Sequence, residues 1–137
     1  MNVKVKIKTS QYTEGGEVQT IESFYNGEQI EKNGSLYVSF LEYDTVKDSR
    51  NTIKISDGEV LILKSGDINS KIRFIESKSF KSKYKTLYGD FDMSVYTYKI
   101  SKKISDEGVK LNLDYKISIR GLLEANNRIE IKVIPEA

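Results

Sequence analysis

Residues 80–100 read Phe80-Lys-Ser-Lys-Tyr84-Lys-Thr-Leu-Tyr88-Gly89-Asp-Phe91-Asp-Met93-Ser-Val-Tyr-Thr-Tyr-Lys-Ile100. Apolar or aromatic residues alternate with charged or small polar ones on both sides of Tyr88-Gly89. A period of two puts successive side chains on opposite faces of a pleated strand, so the stretch is a hairpin with one dry and one wet face. The turn at Tyr88-Gly89 leaves two registers open. The preferred one sets Tyr84 opposite Met93 and Lys85 opposite Asp92, keeping aromatic against sulfur and lysine against carboxylate. Slipping by one residue would drive charges into the dry face. That face is expected to hold Phe80, Ser82, Tyr84, Phe91, Met93, Val95 and Thr97.

The same period runs through the rest of the chain. Val3, Val5 and Ile7 alternate with Lys4, Lys6 and Lys8, and the lysine face must look at water. Val18 to Tyr25 is a less regular strand, expected to bend at Asn26-Gly27 before a short piece, Glu28 to Lys32. Asn33-Gly34 and Asp57-Gly58 are two-residue hairpin signals, because both positions tolerate the positive φ of a type I′ turn. They pair Ile30 with Tyr37, Ile55 with Val60 and Ile53 with Ile62. The second register also puts Leu61 and Leu63 on the outer face, across from Lys54 and Thr52. Asp44 to Arg50 reads as a polar loop, and Asn69 to Glu76 as a strand. Val109 to Ile119 alternates most regularly, and Leu122-Leu123 reads as one helical turn. Asn127 to Ile134 closes the chain with Ile129, Ile131 and Val133 inward.

No window shows the i, i+3, i+4, i+7 spacing of an amphipathic helix. Short strands joined by tight turns exclude a parallel sheet, whose crossovers are long. An antiparallel meander must hide its edges, and closure does so with least added chain. The fold expected is therefore all-β: a single domain over residues 1–137, an antiparallel up-and-down barrel of roughly 8–10 strands with little helix. A two-sheet sandwich is the alternative.

At 137 residues the chain holds one core. Cys and His are both absent, which removes thiolate and imidazole nucleophiles, histidine general bases and the usual zinc sites. Any metal would need oxygen ligands. No metal, cofactor or catalytic residue is expected. The carboxylates Asp90 and Asp92 look solvated, whereas a glycosidase-like pair needs one carboxyl in an apolar pocket. With 22 Lys plus Arg against 20 Asp plus Glu, net charge is +2, which gives no strong pull on nucleic acid. The N-terminus has no continuous apolar h-region, and no stretch reaches membrane-span length. The location expected is cytoplasmic.

Three binding functions remain. The leading one is a small apolar or amphipathic ligand inside the barrel, with Tyr84, Phe91, Met93 and Tyr115 as lining residues and Arg73 as an anchor for a carboxylate; the alternative is that the tyrosines fill the barrel themselves and Arg73 is a surface guanidinium. The second is a homodimer or protein contact through Leu61 and Leu63, since paired leucines seldom stay wet. The third is weak single-stranded nucleic-acid binding through Lys78, Lys81, Lys83, Lys85, Lys99, Lys102 and Lys103 beside Tyr96 and Tyr98. Against the third stand the near-neutral charge and the lack of a nucleic-acid-binding signature. An enzyme ranks last.

Leu36-Tyr37-Val38-Ser39-Phe40 with Glu42, Thr52-Ile53-Lys54-Ile55 with Asp57-Gly58-Glu59-Val60, then Arg73-Phe74, Tyr84 and Gly89, resemble the YwiB-like bacterial proteins of unknown function. The resemblance spans nearly the whole chain in the same order. It implies a calycin-like, lipocalin-type barrel, and it implies no substrate and no catalytic residues. Trp is absent, so the Gly-x-Trp signature of lipocalins is missing.

Overall fold

A computed structural model describes residues 1–13, 15, 16, 18–43 and 48–136, excepting the side chain of Tyr43. It contains ten strands: β1 (Asn2–Tyr12), β2 (Val18–Lys32), β3 (Ser35–Tyr43), β4 (Asp48–Ser56), β5 (Glu59–Gly66), β6 (Ser70–Phe74), β7 (Ser79–Thr86), β8 (Gly89–Ser105), β9 (Gly108–Ile119) and β10 (Leu123–Pro135). No helix occurs among the described residues. The expected helical turn at Leu122-Leu123 is instead the tight β9–β10 connection, closed by the Leu122 N–H donating to the Ile119 carbonyl at 2.9 Å. Of the expected loop from Asp44, residues 44–47 lie outside the described residues, and Asp48 already starts β4.

Every pairing is antiparallel, in the order β6-β5-β4-β3-β2-β1-β10-β9-β8-β7. The first and last strands are therefore neighbours, from Val3 opposite Pro135 to Tyr12 opposite Asn126. The ends of the sheet, β6 and β7, meet at one bridge, where Asn69 and Lys85 exchange two backbone hydrogen bonds of 2.9 Å. Beyond it, the Ser77 N–H donates to the Thr97 carbonyl and the Glu76 carboxylate accepts from the Ile100 N–H, each at 2.8 Å. The result is a nearly closed barrel.

The turn dipeptides act as their chemistry requires. Asn33 and Gly34 both have positive φ, 52° and 79°. Ile30 lies opposite Tyr37, Ile55 opposite Val60, and Leu61 and Leu63 opposite Lys54 and Thr52. Two expectations are corrected. Strand β2 does not break at Asn26-Gly27; it runs through as one strand. Gly27 is needed there for closeness rather than for a bend, since a Cβ would meet the Ser39 carbonyl oxygen at 2.7 Å. The central hairpin also turns one residue earlier, at Leu87-Tyr88, so Tyr84 faces Phe91, Lys85 faces Asp90, Lys83 faces Asp92 and Ser82 faces Met93. Thr86 organises this turn. Its hydroxyl accepts from the Tyr88 N–H at 3.0 Å and donates to the Gly89 carbonyl at 3.1 Å, while Gly89 opens β8 at φ 138°. The slip from the expected register is two residues, so parity survives: Phe80, Ser82, Tyr84, Phe91, Met93, Val95 and Thr97 do form the inward face.

A β-bulge between Thr97 and Lys99 leaves Tyr98 unpaired and switches the inward set of β8 from odd to even positions. Ile100 then continues the core against Leu113. Lys102 turns inward at the barrel end, where its Nζ donates to the Ser56 carbonyl at 2.8 Å.

Inward side chains fill the barrel. Val38, Val60, Phe74 and Leu113 are 0 % exposed, so no water-sized space touches them from outside or inside. Phe74 and Tyr115 meet edge to face across the interior, their centroids 5.0 Å apart, a geometry that adds about 0.5–1.5 kcal/mol to area burial.

Candidate functional site

Packing decides the fate of the expected lining residues. Met93 and Tyr115, 3 % and 4 % exposed, are core. Tyr84 and Phe91 are half-buried cross-strand partners near the barrel end that carries the β7–β8 turn. Arg73 pairs with Leu61 on the outer face, forms an ion pair with Glu59 and lies over the Phe80 ring at 5.4 Å. The structure therefore brings Tyr84, Phe91, Met93 and Tyr115 to one inward face, packs Met93 and Tyr115 into the core, and puts Arg73 on the outer face.

A polar row crosses the interior. Thr97, Tyr115 and Asn127 are successive cross-strand neighbours on β8, β9 and β10, all buried. Asn127 Nδ2 donates to the Tyr115 hydroxyl at 3.3 Å. Burial pushes the Tyr115 phenol up to about 12, a rise the hydrogen bond with Asn127 only partly offsets. The phenol releases its proton near pH 10 in the unfolded chain and near 12 in the folded one. Its stabilising effect is therefore full below pH 10 and is lost as pH rises through 12. Relative to Tyr115→Phe, the wild-type protein is expected to lose about 2 kcal/mol between pH 10 and pH 12. Denaturant midpoints measured across that range would test this, and parallel curves for the two proteins would refute it.

Where β2 and β3 part company the barrel opens. They pair only from Gly27 opposite Phe40 to Lys32 opposite Ser35. Residues 18–26 of β2 pair with β1 alone, and β3 continues from Leu41 against β4 alone. Between the two diverging strands lies a cleft of about 700 Å³. Inward-facing Tyr25 and Phe40 lie in its wall, their rings stacked with centroids 4.5 Å apart and planes at 24°. Phe24 and Leu41 form apolar parts of the rim, and Asn2, Asn26, Glu28, Arg50 and Glu136 the polar parts. The volume lies within the roughly 300–1,000 Å³ typical of small-molecule sites. No motif announces the cleft, because it arises from an interruption in pairing between strands of ordinary composition.

Two further polar groupings are already engaged. Glu42, Asn51 and Lys64 meet at the barrel end, with Asn51 Nδ2 at 2.9 Å and Lys64 Nζ at 3.2 Å from Glu42 Oε2. The Lys83 ammonium hydrogen-bonds Asp92 and, with a smaller effect from Arg120, holds that carboxyl below the usual carboxylate range. Asp90 and Asp92 thus lie on a solvated face. Among the described residues no three acidic side chains group to hold a metal ion, and no helix is long and apolar enough to cross a membrane. Leu61 is half-buried and Leu63 is 37 % exposed. Their outer face is interleaved with cations, Lys54 lying over the Tyr37 ring at 5.6 Å.

The sequence profile of the family described as Domain of unknown function (DUF1934) matches residues 5–131. The chain is 26 % identical over 104 residues to the uncharacterized beta-barrel protein YwiB of Bacillus subtilis (strain 168), covering 76 % of this chain and 73 % of that protein. The crystal structure of the ywiB protein from Bacillus subtilis superposes with a TM-score of 0.90 at 21 % identity, over 99 % of this chain and 92 % of the other. That likeness establishes the ten-stranded barrel as the fold.

Proposed function

We propose a binding function for this chain, which belongs to the DUF1934 family of domains of unknown function. It is a non-enzymatic small-molecule-binding barrel whose site is the side cleft between β2 and β3. The observation that carries this reading is the loss of β2–β3 pairing beyond Gly27 and Phe40, which opens about 700 Å³ beside a stacked aromatic pair. A flat apolar body fits against Tyr25 and the edge of Phe40, and an anionic end fits Arg50. The guest is therefore amphipathic, as the sequence suggested, but it sits at the side of the barrel because the interior is occupied by its own side chains. The absence of His and Cys and the solvated state of the paired aspartates support the non-enzymatic part. Cation-interleaved leucines favour this reading over a dimer contact through Leu61 and Leu63.

Anilinonaphthalene sulfonate, an anionic amphipathic dye, tests the proposal. It is expected to bind the folded protein with a blue-shifted emission. Arg50→Glu, an exposed substitution, should weaken binding about three- to fivefold, and Tyr25→Ala about tenfold. Near-ultraviolet circular dichroism would verify that each variant retains its packing. No dye binding to the native state, or wild-type affinity in both variants, would end the proposal.

A further inference from the structure

The outer face of the sheet carries a charge arrangement that arises only from the pairing of distant strands. Lys6 lies opposite Lys132, Lys132 opposite Lys110, and Lys110 opposite Lys103. Four lysines on β1, β10, β9 and β8 thus form one row across the barrel wall. Phe24, 71 % exposed, extends the row at the β1 side, with the Lys6 ammonium 5.7 Å from its ring centroid. Like charges directly opposite one another destabilise a sheet. Guarding a free edge does not account for the row, since β1, β10 and β9 are each paired on both sides.

Acids lie near both ends, Glu22 and Glu130 beside Lys6, Lys8 and Lys132, and Glu107 beside Lys103 and Lys110, but among the described residues only Lys6 of the row forms an ion pair. Glu22 holds Lys6 at 3.2 Å, and Glu130 faces Lys8. Lys103, Lys110 and Lys132 are exposed and form no ion pair with a carboxylate among the described residues. They border a depression of about 280 Å³, which Glu107 and the apolar Ile134 also line. At about 4.8 Å per strand, the row from Phe24 to Lys103 spans about 19 Å. That length matches the shortest single-strand site sizes, about four nucleotides.

We infer that this row is a track for the phosphate backbone of a single-stranded nucleic acid, with Phe24 stacking an unpaired base at one end. Lysines in line neutralise successive phosphates, and an exposed ring beside them offers the stacking surface that such sites combine with charge. Single strands suit the surface better than duplex, because no helix among the described residues could enter a major groove. Phe24 also borders the β2–β3 cleft, but none of Lys103, Lys110 and Lys132 lines it, so substitutions at these three lysines test this site apart from the small-molecule site.

Fluorescence anisotropy with a labelled oligothymidylate of about twelve nucleotides, titrated at several salt concentrations, tests the inference. Three or four phosphate contacts predict a log-affinity against log-salt slope of about −2 to −3. The variant K103Q/K110Q/K132Q should bind at least tenfold more weakly at low salt, with the slope reduced by about 2, while its melting temperature stays at or above that of the wild type. The corresponding triple arginine variant should keep the slope. Phe24→Ala should weaken binding fivefold or more without changing the slope. Absence of binding at low salt, or wild-type binding by the triple glutamine variant, would overturn the inference. So would inorganic polyphosphate displacing the oligonucleotide phosphate for phosphate with Phe24→Ala without effect, since the row would then read phosphate alone.

Discussion

Replacing Phe74 by alanine is expected to destabilise the barrel by about 3–5 kcal/mol and lower its melting temperature by roughly 10–20 °C. Phe74 is wholly buried on β6, a sheet-end strand, and its ring packs edge to face on Tyr115. Truncation removes the transfer free energy of a buried ring, breaks the aromatic pair and leaves a cavity that the surrounding strands can close only in part. The position matters as much as the size. Strand β6 does not pair with β7 beyond the Asn69–Lys85 bridge, so packing of Phe74 against Tyr115 on β9 helps hold this end of the sheet to the barrel. Equilibrium urea unfolding of wild type and variant measures the effect, and a loss under about 1 kcal/mol would mean that the interior is not packed as described.

Gly108→Ala is the second large effect, and its origin is backbone crowding. Gly108 begins β9 at φ 129°, a conformation that side-chain-bearing residues rarely adopt. A Cβ placed there would lie 2.1 Å from the Val133 carbonyl oxygen on β10. That oxygen belongs to the backbone and cannot move without disturbing the β9–β10 ladder. Strain from φ and from the clash together should cost about 3 kcal/mol or more. Gly34→Ala is the control. Gly34 also has positive φ, 79°, but nothing lies within 4 Å of the added carbon, so about 1–2 kcal/mol is expected there. Thermal denaturation of the two variants side by side separates the contributions, and equal losses would remove the crowding argument.

How much of this was legible in the sequence depends on how local the signal is. Asn33-Gly34 and Asp57-Gly58 encode their turns in two residues, so the registers of Ile30 with Tyr37 and Ile55 with Val60 followed directly. Strict alternation in Val109 to Ile119 similarly identified a strand with one buried face. The central hairpin departs from its expected register because Tyr88-Gly89 resembles a turn centre, whereas Gly89 serves as the first residue of β8 and Thr86 closes the turn with its hydroxyl. The bulge at Tyr98 has no such signal. Plain alternation would leave Lys102 facing outward and Lys103 inward; the bulge reverses them and so places Lys103 in the lysine row.

Function was less legible for the same physical reason. Parity correctly put Tyr84, Phe91, Met93 and Tyr115 on the inward face, but whether that face encloses space depends on how opposite walls interdigitate. Phe74 filling the gap against Tyr115 is a contact between strands separated by 41 positions of sequence. For Arg73 the sequence leaves an anchor and a surface guanidinium both open; adjacent residues on a strand face opposite ways, so with Phe74 inward Arg73 falls on the outer face beside Leu61. The β2–β3 cleft depends on where pairing stops, and the lysine row depends on the first and last strands being neighbours. Neither property is written in any short stretch of the chain.

The central claim is that a guest binds at the side of a filled barrel, between β2 and β3. Amide chemical-shift mapping during titration with anilinonaphthalene sulfonate tests it most directly. The largest shifts are predicted at Tyr25, Gly27, Phe40, Leu41 and Arg50, with Met93, Leu113 and Tyr115 nearly unmoved. Shifts concentrated at Met93 and Tyr115, with the Tyr25 and Arg50 amides silent, would place the guest in the barrel interior and contradict the account.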